Sequence, residues 1–259
     1  INYEFPDDIE AKAFLALQIW ENSQKGIPLS SAVAVDALAK EVLAQNPRHP
    51  IHHYRIHLWD SDNKVERALN SAALCGQSSP GIAHMWHMPG HIFSKLNRFE
   101  EAAWHQEASA RTDHAHMMRD RVLPDQIHNY AHNNEWCIRD LSFIGRAHDA
   151  LSLAKNMIEL PRHPKHNQAS NRGSGAGYGR VRIFDVLSLY EMWDEYLALA
   201  DTVYLEADDD HEDRVKRLRY LGVAGYAKGK TDIAKKAQSE LETILADVKG
   251  KQDKAGDAA

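Results

Sequence analysis

Histidine is the residue type whose number and spacing could do chemistry in this chain. The sequence holds 16 histidines but only two cysteines. Seven histidines recur every three or four residues in three short segments: His53 and His57, then His84, His87 and His91, then His128 and His132. Such spacing returns to one helix face, so each segment is predicted to present a stripe of imidazoles. Three stripes side by side would line a groove that holds a metal ion, another ligand or only protons.

The overall composition argues against several classes of protein. With 43% hydrophobic residues, 26% charged residues, 14 glycines and 9 prolines, a soluble and largely helical globular protein is expected. A net charge of −6 with neutral histidines argues against binding to nucleic acid or an anionic membrane. No run approaches the roughly 18 apolar residues that span a bilayer. The chain begins at Ile1 and not with a methionine, so a preceding segment is expected to have been removed or left out, and the compartment stays open.

A recurring sequence pattern predicts the elements that position these histidines. The pattern is a helix end, a tight turn and a new helix that begins with acidic residues and then alanine, and it occurs at 95–102, 143–150 and 227–234. A weaker copy at 59–68 places Ala68 34 residues before Ala102. Each copy is predicted to be the turn of a helical hairpin. The histidine stripes then lie on helices predicted near 51–60, 81–95 and 125–142.

The central hairpin resembles the tetratricopeptide repeat (TPR). The resemblance rests on the aromatic, small and turn residues Trp86, Gly90, Phe93, Leu96, Arg98, Phe99 and Ala102. Asn97 stands where the family usually has a turn glycine, and Pro89 is expected to kink the first helix. The resemblance implies an all-α, right-handed solenoid of TPR-like hairpins. We expect one such domain over residues 1–248 and a disordered tail over 249–259.

The resemblance also implies which residues face a shared groove. In TPR proteins the first helix of each hairpin lines the concave surface. Alignment on Ala68, Ala102 and Ala150 brings to that surface His53, His57, His84, His87, His91, His132, Glu135 and Arg139. His128, one turn before His132, points the same way if its helix begins by Asp125. Because turn residues fix the alignment, the arrival of the histidines in the groove is independent support.

The histidines of this groove are predicted metal ligands. Neutral imidazole binds transition metals, and a set without a cysteine pair suits copper or zinc better than calcium or magnesium. Glu135 is the predicted base or carboxylate ligand, and Arg139 is predicted to hold an anionic substrate group. His84 and His128 are assigned to ligand binding. The predicted metal ligands are His53, His57, His87, His91 and His132.

The three histidine segments also resemble, as a set, the segments of a narrower group of proteins. The strings HPIHHYRIH at 49–57, HMPGHIF at 87–93 and HNYAH at 128–132 resemble the histidine boxes of a group of bacterial TPR-type proteins. The likeness implies that the three boxes belong together. It implies no particular reaction, so whether the protein is an enzyme stays open.

Two other functions remain open beside a metal-binding scaffold. The first is an interaction module whose concave groove binds a peptide or protein segment without metal, as repeat proteins commonly do. The second is a pH-responsive scaffold in which clustered imidazoles repel once protonated. The partners expected are thus a metal ion and a small-molecule or peptide ligand.

Three smaller predictions concern the rest of the chain. Cys75 and Cys137 are expected to be buried structural thiols, because they lie in apolar helical segments and neither has a second cysteine at metal-ligand spacing. Met85 and Met88 are expected to pack in the core. Residues 161–180 are rich in glycine and polar side chains, which predicts a flexible connector or a lid over the groove.

Overall fold

The computed structural model describes residues 3–61, 64–168, 171–207 and 210–256, with the backbone alone for His128 and 251–256. Within these ranges there are helices and turns but no strand, so the predicted all-α class is confirmed. The helices are α1 (Ile9–Gln24), α2 (Ala32–Gln45), α3 (Ile51–Asp60), α4 (Leu69–Ser78), α5 (Ala83–Lys95), α6 (Phe99–Asp120), α7 (His128–Phe143), α8 (Ala147–Glu159), α9 (Gly175–Leu189), α10 (Trp193–Leu199), α11 (His211–Ala227) and α12 (Thr231–Gly256).

The chain divides into two compact units, residues 1–146 with α1 to α7 and residues 147–259 with α8 to α12. In each unit, helices that follow one another along the chain pack against each other. The single domain expected over 1–248 stays a prediction. Helix α12 continues past the expected start of the tail at 249, and 257–259 lie outside the described residues. None of the described helices is long and apolar enough to cross a membrane.

The three predicted hairpin turns share one backbone geometry. Each contains one residue in the left-handed region, Asn97 at φ 57°, Gly145 at φ 82° or Gly229 at φ 68°. The next amide donates to the carbonyl five residues back, from Arg98 to Phe93, Arg146 to Leu141 and Lys230 to Gly225, at 2.9, 3.0 and 2.8 Å. This hydrogen bond and the left-handed residue form a Schellman motif, which ends the helix. Asparagine tolerates the left-handed conformation, so Asn97 replaces the usual glycine.

The first unit encloses the core that supports the histidine helices. Trp59, Ile56 and Ile92 are almost completely buried there. Met85 and Met88 are also buried, which confirms their predicted packing role. Cys75 and Cys137 are buried free thiols, as expected. Burial raises the pKa of both thiols to about 12, so neither is a reactive thiolate at neutral pH.

A buried carboxylate fixes α3, the helix that carries the first histidine pair, against α2. Arg55 Nε and Trp59 Nε1 donate to Asp36 Oδ1 at 2.6 and 3.0 Å. Lys40 Nζ lies 2.8 Å from Asp36 Oδ2. Burial works to raise the pKa of Asp36, but the bonds from Lys40, Trp59 and Arg55 lower it overall. Asp36 therefore joins α2 to α3 through a buried charged group.

Close helix packing explains a correction to the predicted connector over 161–180. Helix α9 begins at Gly175, inside the predicted connector, so the end of this segment is helical. The Ser174 side chain caps the helix by accepting from the Gly177 amide at 3.0 Å. A Cβ at Gly179 would lie 2.8 Å from the Ala154 carbonyl oxygen of α8. Gly179 therefore permits close packing of α9 against α8.

Gly76 permits a similarly close approach of α4 to the side chain of Trp86. A Cβ at position 76 would overlap the indole ring, which is rigid. We expect Gly76→Ala to lower the free energy of unfolding by about 1–3 kcal/mol in urea denaturation, despite the higher helix propensity of alanine. Gly222→Ala is the control, because nothing lies within 4 Å of its Cβ position and it should stabilise slightly. A stabilising Gly76→Ala would contradict this packing.

Candidate metal centre

The described histidines of the predicted groove gather in two triads. We call His53, His57 and His84 the first triad, and His87, His91 and His132 the second triad. In each triad one candidate ligand nitrogen from every ring lies within 4.8 Å of the others. The side chain of His128, predicted to bind ligand, lies outside the described part of the chain.

Each triad is built on a pair of histidines four residues apart on one helix. In α3 the Nε2 atoms of His53 and His57 are 2.9 Å apart. In α5 the Nε2 atoms of His87 and His91 are 2.8 Å apart. Corresponding members of the two pairs are 34 residues apart in the sequence, the same separation as between Ala68 and Ala102. The repeat therefore places the same pair of imidazoles on two successive first helices.

A ring from the next segment completes each pair. The ring centroid of His84, in the first turn of α5, is 4.9 Å from that of His53, with the rings nearly perpendicular. The ring centroid of His132, in α7, is 4.8 Å from that of His87. Each triad therefore depends on packing between helices, which sequence spacing alone does not fix.

Gln106 fixes the protonation of His87 in the second triad. The Gln106 Nε2 amide donates to the backbone carbonyl of His87 at 3.3 Å, which turns Gln106 Oε1 toward the ring. His87 Nδ1 donates to that oxygen at 2.6 Å. Since Nδ1 carries the proton in this tautomer, Nε2 of the neutral ring presents a lone pair toward His91.

Carboxylates face the Nδ1 atoms of the other two rings of the second triad. His91 Nδ1 lies 3.6 Å from Asp60 Oδ2, and His132 Nδ1 lies 3.5 Å from Glu135 Oε1. Lys95 Nζ donates to Asp60 Oδ1 at 2.7 Å. Burial works to raise the pKa of Asp60, but interactions with His91 and Lys95 lower it overall to about 2. A carboxylate behind an imidazole favours a proton on the facing nitrogen.

These partners create a conflict between His87 and His91. If both Nδ1 atoms carry protons, both Nε2 atoms present lone pairs to each other across 2.8 Å. A cation bound by both rings or an additional proton on His91 relieves this conflict, and so does the other neutral tautomer of His91, in which Nε2 donates to His87 Nε2. Burial and the neighbouring histidines His91 and His132 lower the pKa of His87 to about 2, so this ring is neutral at ordinary pH.

The first triad has different surroundings, and burial favours the neutral form of its rings. Burial, with the charges of His57 and His84, lowers the pKa of His53 to about 3. Burial lowers the pKa of His57 to about 4 and also lowers that of His84. The indole of Trp20, in α1, stacks on His57 with ring centroids 4.6 Å apart. Neutral imidazole is the form that binds metal.

The predicted anion-holding residue, Arg139, is linked to the second triad through an indole. Trp136 stacks on His91 with ring centroids 4.4 Å apart. The guanidinium carbon of Arg139 lies 4.6 Å from the Trp136 ring centroid and 5.4 Å from that of Phe143. Arg139 is therefore a positive charge beside the triad, held over aromatic faces.

Sequence reasoning missed Gln106 and Trp20. Trp20 lies far away in the sequence and has no distinguishing spacing. For Gln106 the sequence contained a signal, because Gln106, Ser109 and Asp113 recur at helical spacing. In the structure all three are buried in α6. A polar stripe on the core side of a second helix indicates hydrogen-bond partners for the helix it faces.

His105 provides a pH-dependent prediction outside the triads. It is 7% exposed, and its Nδ1 has no hydrogen-bond partner among the described residues. Burial lowers its pKa to about 4, although a hydrogen bond to the Trp86 backbone and the charge of Glu101 oppose the shift. The unfolded chain therefore takes up this proton first as the pH falls. We expect the free energy of unfolding to fall between about pH 6.5 and 4, by about 2–3 kcal/mol at pH 4.5 from this residue.

Urea denaturation at pH 7 and pH 4.5 measures this effect in the wild-type protein and in His105→Phe. Phenylalanine keeps an aromatic ring stacked on Phe93 but cannot bind the proton. The variant should lose less stability at acid pH than the wild type. Equal losses in the two proteins would show that His105 does not carry the effect.

The turns, the 34-residue spacing and the triads define a class of protein, an all-α chain of helical hairpins in which clustered histidines lie on α3, α5 and α7. The chain matches no protein-family model. It matches no curated protein. It is similar to a solved structure titled "Functional Characterization of Pseudomonas Aeruginosa pilF" at 11% identity and a TM-score of 0.49, over 91% of each chain.

Proposed function

We propose that this protein is a helical-repeat scaffold that binds a divalent transition-metal ion through the second triad. The observation that carries the proposal is the 2.8 Å approach of the His87 and His91 Nε2 atoms while their Nδ1 atoms face oxygen acceptors. A cation bound by both rings satisfies both lone pairs and both Nδ1 protons. His132 supplies the third nitrogen.

The dimensions of the second triad suit such an ion after a small adjustment. Two nitrogens bound to tetrahedral zinc at 2.0–2.1 Å lie about 3.3 Å apart. The His87 and His91 rings would need to separate by only about 0.5 Å, which rotation about side-chain bonds provides. Three imidazoles leave a fourth position for water or another ligand. The donor set suits zinc or copper, and the nearby methionines belong to the core.

In this proposal, the residues that face the Nδ1 atoms of the second triad orient its three rings. Gln106 holds His87, Asp60 holds His91, and Glu135 holds His132 through their Nδ1 atoms. Such outer partners fix the tautomer and raise the basicity of the ligating nitrogen. The predicted role of Glu135 as a base stays a prediction. The likeness of the histidine boxes to those of a bacterial group supports treating them as one functional set.

The alternative is a TPR-like module that binds a peptide or protein without metal. Exposed aromatic residues on the first unit favour it, since Trp104 is 58% and Phe143 is 51% exposed. Phe143 also packs against Phe99 and contacts Arg139, which offers an aromatic and basic surface to a partner. In this alternative the histidines hydrogen-bond to each other, and the protein is metal-free.

Metal analysis tests the proposal. Untagged protein is purified without a nickel column, dialysed against zinc or copper and then against buffer, and analysed by mass spectrometry for bound metal. The wild-type protein should retain ions that His91→Ala loses from the second triad. His114→Ala, which removes an exposed histidine of α6, is the matched control and should retain the wild-type content. A metal-free wild type, or unchanged content in His91→Ala, would rule the proposal out.

A further inference from the structure

The first triad is a separate group of histidines from the second triad. It shares no histidine with the second triad, and its own pair lies on α3, one hairpin earlier. We propose that the first triad is a second transition-metal site, so that each chain binds two ions on adjoining sites. The inference extends the proposed function and can fail or succeed separately from it, because the two triads have different ligands.

Geometry supports three nitrogen ligands in the first triad. The His53 and His57 Nε2 atoms are 2.9 Å apart, nearly the same separation as in the second triad. The rings of His53 and His84 meet at 86°, so the edge of one faces the plane of the other. One nitrogen from each of the three rings lies within 4.8 Å of the others. A modest rotation of the rings therefore brings three imidazole nitrogens to one ion.

Charge supports a cation in this place. Asp60 carries a negative charge that acts on His57. The same carboxylate also faces His91 Nδ1. One carboxylate therefore lies near both triads. Trp20 covers His57 and limits the access of water to this side of the triad.

The two sites adjoin through neighbouring rings of α5. His84 of the first triad and His87 of the second triad stack with centroids 5.8 Å apart and planes inclined by 24°. Two dications held on such rings repel each other, and this repulsion is only partly offset by Asp60. We therefore expect two binding steps in a metal titration, the second weaker than the first.

Zinc titration of metal-free, untagged protein tests the inference by calorimetry, with bound zinc counted by mass spectrometry. The wild type should bind two ions per chain. His84→Ala, which removes the third ring of the first triad, should bind one, and so should His132→Ala, which removes the third ring of the second. His114→Ala is the control and should bind two. Circular dichroism checks that every variant is folded, and His53→Gln is the second variant of the first triad if His84→Ala is not.

The possible outcomes separate the two proposals. A single wild-type ion that survives in His84→Ala and is lost in His132→Ala overturns the second site and leaves the proposed function standing. A single ion that is lost in His84→Ala and survives in His132→Ala overturns the proposed site and keeps this one. A single ion lost in both variants overturns the division into two sites. No ion in the wild type overturns both proposals.

Discussion

Replacing Asp60 with alanine is expected to lower the zinc affinity of the second triad by about 10- to 100-fold. Asp60 faces His91 Nδ1 at 3.6 Å, and its negative charge favours a proton on that nitrogen and a lone pair on Nε2. Without it, His91 is free to adopt the other tautomer or to rotate. A competition titration with a chromophoric chelator measures the affinity.

Lys95→Met is the matched control for Asp60→Ala. It removes the lysine that donates to Asp60 but leaves the carboxylate facing His91. If Asp60 acts by orienting His91, Lys95→Met should retain most of the wild-type affinity. Equal losses in the two variants would instead indicate that the ion pair stabilises the end of α3. An Asp60→Ala protein with wild-type affinity would remove Asp60 from the site.

The second large effect concerns stability. We expect Asp36→Ala to lower the free energy of unfolding by about 3–5 kcal/mol, because it leaves the buried guanidinium of Arg55 without its carboxylate. Arg55 is 7% exposed and Asp36 is 4% exposed, so water cannot replace the lost partner. Trp59 also loses its acceptor. Guanidinium chloride denaturation at neutral pH measures the change.

Glu41→Gln provides the comparison for Asp36→Ala. It removes an ion pair between α2 and α1, in which Lys12 Nζ lies 2.6 Å from Glu41 Oε2, and the Glu41 side chain is 55% exposed. An ion pair whose carboxylate is open to solvent contributes at most about 1 kcal/mol. Similar losses in the two variants would contradict the dependence on burial. A nearly neutral Asp36→Ala would show that α3 is held by apolar packing alone.

Metal binding should be coupled to stability in this protein. The triads join helices from successive hairpins, and the unfolded chain cannot hold the three rings of a triad together. An ion that binds only the folded state stabilises it by about 2.7 kcal/mol when its concentration is 100 times the dissociation constant. The thermal midpoint of the wild type should therefore rise with zinc, and that of a triad variant should rise less.

The sequence by itself determined the local features of this protein. The hairpin turns at Asn97, Gly145 and Gly229 were predicted correctly, because a helix end depends on a few adjacent residues. Two of the histidine pairs were also readable, since positions four apart on a helix share a face whatever the helix packs against. The burial of the two cysteines and of Met85 and Met88 followed from apolar helix faces in the same way.

Only the tertiary structure decided how the histidines group into two triads and which side chains face their Nδ1 atoms. The histidine spacing predicted one groove with seven imidazoles, whereas packing of α3, α5 and α7 assigns His84 to the first triad and His132 to the second. Gln106 reaches His87 from the second helix of the hairpin, 19 residues away. Such partners depend on the distance and rotation between helices, which many contacts set together. The choice of which nitrogen presents its lone pair is therefore a property of the folded chain.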